Sequence, residues 1–347
     1  MASFTVRPAI MQHTAPTIAG GTAEPILAVE HLRTHFHTPA GVVQAVDDVS
    51  FALYGGEILA LVGESGSGKS VTALSLMKLV AVPPGRYMSG SVWIDGEVVL
   101  ALDGPALTRV RGRLMGMIFQ NPRASLDPAF TLRSQLGETI RCHHPRLSAT
   151  DMAARGRMAL IEVGFSDPER VLASYPHQLS GGMCQRAALA MALASQPRVL
   201  LADEPTTALD VGVQAKILLL LKRRNRDHGL PIVLITHDFG VVRALATRIA
   251  VMYAGQIQEQ GAADEVLAAP LHPYTIALIQ SVPDPDAPRA RLRNPGRAAA
   301  VIESTARLPL RAALRAGDRP LPPRTAGARS AARRRAVRCH LVSATVG

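Results

Sequence analysis

The sequence predicts an α/β fold, a mainly parallel sheet between helices, with an antiparallel β layer ahead of it and a helical subdomain within it. Three observations carry this. The apolar strand Ile58 to Val62 runs into a glycine-rich loop and then into helical spacing at Ala73, Leu74, Met77 and Val80. The runs Val199 to Ala202 and Ile232 to Thr236 read as buried strands on either side of a helix through Val213 to Arg226, the βαβ rhythm of parallel strands. Before these, β-branched and apolar runs at Ile26 to Phe36 and Val42 to Tyr54 are broken by Thr-Pro-Ala-Gly and Tyr-Gly-Gly, as in strands joined by turns.

In chain order, the first 25 residues mix Ser, Thr, Pro and Gly with isolated apolar residues and lack a continuous apolar stretch, so a loose N-terminal arm is expected rather than a secretory signal. The two antiparallel strands, the strand–loop–helix unit and strand candidates at Val92 to Ile94 and Leu114 to Phe119 follow. Leu132 to Cys142, Asp151 to Gly164 and Met183 to Ser195 are helical in pattern, which sets a helical subdomain over about residues 121–195. Ile249 to Tyr253 supplies one more strand. Beyond Pro283 the chain turns to Pro, Ala and Arg without apolar periodicity. A globular domain is therefore expected over 26–283 and a tail over 284–347, with no internal repeat.

Composition narrows the function. Of 347 residues 48% are apolar, enough for a real core, and the net charge of +11 suggests nucleic acid until its position is mapped. Residues 289–338 hold 14 Arg against Glu303 and Asp318, and the rest of the chain carries 24 basic and 25 acidic groups. The charge is thus a basic tail, which reads as a solvated extension, and no nucleic-acid partner is expected. Cys142, Cys184 and Cys339 are too few and scattered for a disulfide framework or a zinc site, as suits the cytosol. No apolar run approaches the roughly 18–20 residues of a membrane helix, so a membrane role must come through a partner.

The chemistry starts at GESGSGKS, residues Gly63, Glu64, Ser65, Gly66, Ser67, Gly68, Lys69 and Ser70, with Val71 in the helix that follows. This is the phosphate-loop pattern: glycines let backbone N–H groups curl around phosphates, and the helix adds its positive end. Lys69 is placed to reach the β- and γ-phosphates of ATP, and the Ser70 hydroxyl to bind Mg²⁺. A second strand end must offer a carboxylate to the magnesium shell. VLLADEP, residues 199–205, offers two: Asp203 for the metal and Glu204 as general base on the attacking water.

LSGGMCQR, residues 179–186, narrows the family. Ser180, Gly181 and Gly182 stand before a helix, a second place where free N–H groups and a hydroxyl can face a phosphate. The stretch resembles the signature motif of ABC ATPases. Further motifs follow the family in order: Gln120 in FQNPRASLDP resembles the Q-loop, Asp210 in TTALD the D-loop, and His237 in LITHD the switch histidine. Phe36 matches the position where the family stacks an aromatic ring on adenine. The resemblance implies a P-loop NTPase (ABC ATPase) α/β core with an antiparallel β subdomain and a helical subdomain. It also implies that Gln120 joins the metal and water site, and that Ser180 to Gly182 serve the ATP of a second ATPase subunit in a head-to-tail dimer.

FQNPRASLDP, YPHQ at Tyr175 to Gln178 and LHPYT at Leu271 to Thr275 resemble the dipeptide, oligopeptide and nickel importer branch, over about Ile26 to Pro283. That likeness implies an energy-coupling subunit working with two transmembrane permease subunits, a second ATPase and an extracytoplasmic substrate-binding protein. It would sit at the cytoplasmic face of the inner membrane, with peptide as cargo. The rival reading is a soluble ABC-fold ATPase acting on nucleic acid or the ribosome. Two departures stand out. Cys184 replaces the polar residue usual in the signature, and the tail keeps only Cys339 where some branch members hold several cysteines for an iron–sulfur cluster. Val337 to Leu341 resembles the family ending, whereas Arg297 to Arg335 looks like GC-rich coding sequence read out of frame.

Overall fold

Two long β-branched runs separated by a Gly turn make the first hairpin: β1 (Leu27–Thr38) and β2 (Gly41–Leu53) pair antiparallel from Leu27 opposite Leu53 to Thr38 opposite Gly41. The structure, a computed structural model, describes residues 24–207, 209–281, 329–331 and 335–339, the side chains of 329–331 excepted. β3 (Ile58–Val62) leads through the glycine-rich loop into α1 (Lys69–Leu76). β4 (Gly85–Ile94) returns along the other edge of β1, and β5 (Glu97–Val98) completes a four-stranded sheet of order β2-β1-β4-β5. The strand expected over Val92 to Ile94 is thus the end of a longer one.

After α2 (Gly104–Arg109) and β6 (Met115–Ile118) the chain is helical: α3 (Leu132–His143), α4 (Ala149–Glu162), α5 (Pro168–Ala173) and α6 (Gly181–Ala194). Then β7 (Val199–Asp203), α7 (Val211–His228), β8 (Ile232–Ile235), α8 (Phe239–Leu245), β9 (Arg248–Tyr253) and β10 (Gln256–Ala262) alternate, before α9 (Ala263–Ala268) and α10 (Pro273–Gln280). Strands β9, β3, β8, β7 and β6 form a parallel core. β10 joins it antiparallel, and the tail strands β11 (Arg329–Ala331) and β12 (Arg335–Val337) extend that edge.

The uninterrupted apolar runs of the parallel strands follow from burial on both faces. Leu200, Ala202, Ile232 and Leu234 point into the core shared with α3, α4 and α6. The alternate residues Val199, Leu201, Val233 and Ile235 point into the core shared with the antiparallel layer. Ala60 and Val62 on β3 join a third cluster with Phe239, Val266 and Tyr274 beneath the C-terminal helices.

One helix is shorter than its periodicity predicts. The pattern through Val80 continues, and Met77 and Val80 are buried, but α1 stops at Leu76. Lys78 adopts a left-handed φ of 54° and prolines at 83 and 84 follow, so the apolar spacing is met by a turn rather than by helix. The tail also differs from its description as a separate extension. Residues 335–339 return to the core, where Arg335 pairs with the buried Glu259 and Arg338 with Asp48. The N-terminal arm before Glu24, and the out-of-frame reading of 297–335 except at 329–331 and Arg335, lie outside the described residues.

Candidate nucleotide site

Why the chain bends sharply after β3 is visible in its glycines. A Cβ on Gly63 would lie 2.2 Å from the Met252 carbonyl oxygen, and one on Gly68 would lie 2.1 Å from that of Ala45. Both close approaches accompany positive φ, 154° and 103°, so only glycine fits. The loop between them is wedged against β2 and β9, and α1 begins at Lys69 with its N–H groups open to the loop. Lys69 is 7% exposed, and its Nζ donates to Gly63 O at 2.9 Å, Glu64 O at 2.7 Å and Ser67 Oγ at 3.2 Å. Burial lowers its pKa, against the pull of Glu204, Asp203 and Glu64.

Asp203 closes β7 and Glu204 follows it. Asp203 is 3% exposed, and its Oδ1 has no hydrogen-bond partner among the described residues. Burial pushes its carboxyl above the ordinary value, although Ser70 lies close enough to bond to it and oppose the rise. A buried, unpartnered carboxylate oxygen beside a hydroxyl offers oxygen ligands suited to a hard cation, and the neighbouring ammonium suits the phosphate oxygens that such a cation carries. The residues present therefore fit Mg²⁺.

Glu204 takes a left-handed φ of 47°, rare for a residue with a side chain, while its N–H donates to Ile235 O at 2.9 Å. That turn sends the carboxylate off the strand line into three side chains. His237 Nδ1 lies 3.1 Å from Oε1, Thr207 Oγ1 donates to Oε2 at 2.9 Å, and Gln120 bonds to it as well. Burial alone raises the Glu204 pKa, but the bonds from Thr207, His237 and Gln120 outweigh it and the net shift is downward. The carboxylate is ionised at neutral pH and fixed in direction by its three partners. Gln120, Glu204 and His237, which lie on three separate loops, thus meet at one point. Thr207 is the member that the motifs missed; its place three residues after Glu204 is an ordinary turn spacing with no chemical signal.

Ser180 caps α6, its side chain accepting from Met183 N at 3.3 Å, and Gly181 and Gly182 form the first turn. Two contacts tie this end to the loops that carry Gln120 and Glu204: Arg123 Nη2 donates to Leu179 O at 3.3 Å, and Gln185 Nε2 to Pro205 O at 2.8 Å. Asp210 caps α7, accepting from Val213 N at 2.9 Å. Phe36 is half-buried on β1 opposite Gly85 and Val43, two residues past Thr34, whose hydroxyl meets Ser75 of α1 at 2.9 Å. Glu64, Ser65 and Gly66 are exposed, Ser67 is buried and Val71 packs against the core that includes Leu76.

Cys184 is fully buried with Sγ on Pro176 O at 3.5 Å, and burial pushes its thiol pKa up, which makes it unreactive rather than redox-active. In the run from Cys142 to His144, the His144 Nε2 meets Ser195 O at 3.2 Å while the His143 ring covers Gly112, so the side chains diverge.

Comparison with known proteins shows the family. Residues 46–207 match the family model for the ABC transporter, and residues 258–307 the model for the oligopeptide/dipeptide transporter C-terminal region. The chain is 46% identical to the oligopeptide transport ATP-binding protein OppD of Bacillus subtilis, over 74% of this chain and 72% of that protein. It is 43% identical to AppD of the same organism, an oligopeptide transport ATP-binding protein, over 74% and 78%. It is also 45% identical to the peptidoglycan transport ATP-binding protein YejF of Agrobacterium fabrum, over 78% of this chain and 50% of that protein, so it spans about half of YejF. Among solved structures, the ATP-binding cassette MJ0796, in a dimeric post-hydrolysis state bound to ADP and Pi, superposes with a TM-score of 0.62 at 30% identity, covering 68% of this chain and 98% of that one. This chain belongs to the ABC transporter family, as an ATPase subunit of its oligopeptide/dipeptide branch.

Proposed function

We propose that this chain hydrolyses ATP to drive the import of peptides through a membrane transporter. The observation that carries the reading is the Asp203–Glu204 pair at the end of β7, beside Lys69 and Ser70 of the phosphate loop, with Glu204 held by Thr207, His237 and Gln120. Backbone N–H groups of residues 66–71 would cradle the phosphates, and Lys69 would balance their charge. Ser70, Asp203 and Gln120 would hold Mg²⁺, which when bound neutralises charge on the phosphate oxygens. Glu204 accepts a proton as water adds to the γ-phosphorus, the bond to the β–γ bridging oxygen breaks, and ADP leaves with that oxygen. His237, bonded to the same carboxylate, orients it. Phe36 is the candidate for stacking on adenine.

Ser180, Gly181, Gly182 and Asp210 are assigned to the ATP of a second ATPase subunit, identical or paralogous. The dimeric state of MJ0796 supports such pairing. No helix among the described residues is long and apolar enough to cross a membrane. Attachment to the cytoplasmic face of the inner membrane therefore rests on two permease subunits, with a substrate-binding protein on the other side. A cleft of about 280 Å³ between the turn after α1, β6, α3 and α6, lined by Met77, Leu79, Phe119, Leu126 and Met191, supports docking of an apolar permease segment close to Gln120. Transport names on the relatives favour this over action on nucleic acid.

The test is Glu204→Gln in the assembled transporter. ATP binding should persist while phosphate release falls by about 10²- to 10⁴-fold. An unchanged rate would sink the assignment of the base.

A further inference from the structure

The phosphate loop is held from a direction that the loop motif does not encode. Tyr274, in the first turn of α10, is 8% exposed, and its hydroxyl accepts the N–H of Glu64 at 3.1 Å. Its ring packs on Tyr253 of β9 with centroids 4.5 Å apart. The N–H that Tyr274 takes belongs to the same peptide unit as the Gly63 carbonyl, which accepts Lys69 Nζ at 2.9 Å. A peptide unit is planar, so fixing the direction of its N–H fixes the direction of its C=O.

We propose that Tyr274 is a positioning residue for Lys69: by holding the Gly63–Glu64 peptide plane, it aims the carbonyl on which the lysine ammonium is seated. This deepens the ATP-hydrolysis reading and rests on it. The anchor of Tyr274 is itself built from the C-terminal region. His272 Nδ1 accepts the Tyr274 N–H at 3.0 Å. The fully buried Glu259 accepts from Leu271 N at 3.0 Å and His272 N at 2.9 Å, and Arg335 of the tail donates to it at 2.6 Å. Burial pushes the Tyr274 pKa to about 12, so the hydroxyl stays neutral and available as an acceptor throughout the physiological range. The C-terminal region thus reaches the phosphate loop through the Tyr274 hydroxyl.

Equilibrium binding of MgATP to the full chain tests this with Tyr274→Phe, which keeps the ring and its stacking, and Tyr253→Phe, which removes the hydroxyl of the other ring. Tyr274→Phe should weaken ATP binding by about three- to tenfold, the effect of one lost hydrogen bond, and lower the melting midpoint by only a few degrees. Amide hydrogen exchange across 63–70 should accelerate in the same variant, and Tyr253→Phe should bind as wild type does. Wild-type affinity in Tyr274→Phe, or equal weakening in both variants, overturns the proposal. Failure of the wild-type chain itself to bind ATP would instead overturn the nucleotide reading beneath it.

Discussion

Two adjacent carboxylates, Asp203 and Glu204, are driven in opposite directions by their surroundings. Asp203 sits at the end of a buried strand with one oxygen unpartnered, and burial raises its pKa. Glu204 leaves the strand through a left-handed residue, a conformation costing on the order of 1–3 kcal/mol, and finds three hydrogen-bond donors that lower its own. The consequence for Asp203 can be signed. Its carboxyl binds a proton more readily in the folded, nucleotide-free protein than in the unfolded chain. Stability from this group is therefore present at low pH and is lost as pH rises through the raised pKa. Asp203→Asn should remove that loss and raise the thermal midpoint at pH 7 while abolishing Mg²⁺-dependent turnover. Scanning calorimetry beside a phosphate-release assay checks both halves, and a variant melting below wild type contradicts the account. Lys69→Ala should cut turnover by about 10²- to 10³-fold or more through lost charge stabilisation.

At the scale of elements, the loop after β3 depends on unequal glycines. Gly68→Ala places a methyl 2.1 Å from the Ala45 carbonyl at a positive φ, and should cost about 2–4 kcal/mol in denaturant unfolding. Gly66→Ala, with nothing within 4 Å of the added Cβ, bears only the conformational cost of about 1 kcal/mol. This contrast marks what sequence reading reaches. The glycine-rich turn between β3 and α1 was legible, because the phosphate-loop pattern fixes residue type at each position. β7 and β8 were legible because strands buried on both faces must be apolar throughout. Which glycine is irreplaceable was not, since that depends on carbonyls of β2 and β9 that are distant in the chain. Tyr274 was invisible for the same reason. A tyrosine after proline in a short helix reads as core, and its bond to Glu64 spans 210 residues. Helix α1 was overextended because Met77 and Val80 satisfy helical spacing while packing from a turn.

Across the whole molecule, the phosphate loop and the N-terminus of α6 are the two ends proposed to face phosphate, and contacts from Arg123 to Leu179 and Gln185 to Pro205 link the second to the loops that carry Gln120 and Glu204. The tail is fastened to the same body. Arg335→Ala strands the buried Glu259 carboxylate, so unfolding should become easier by about 3–5 kcal/mol, read from urea denaturation. The exposed Ser180 offers a sharper test, because it separates binding from catalysis. If its end of α6 serves the partner's nucleotide, Ser180→Arg leaves ATP affinity of the isolated chain unchanged and lowers turnover only in the assembled transporter. The size of that loss then reports the pairing. Two identical ATPase subunits would both lose their completing end, and phosphate release should fall by about 10²-fold or more. With a paralogous partner, this chain's own loop is still completed by the partner's intact signature, and about half of the two-site rate should survive. Equal loss of ATP affinity in the isolated chain would place Ser180 in this chain's own site and reject the head-to-tail arrangement.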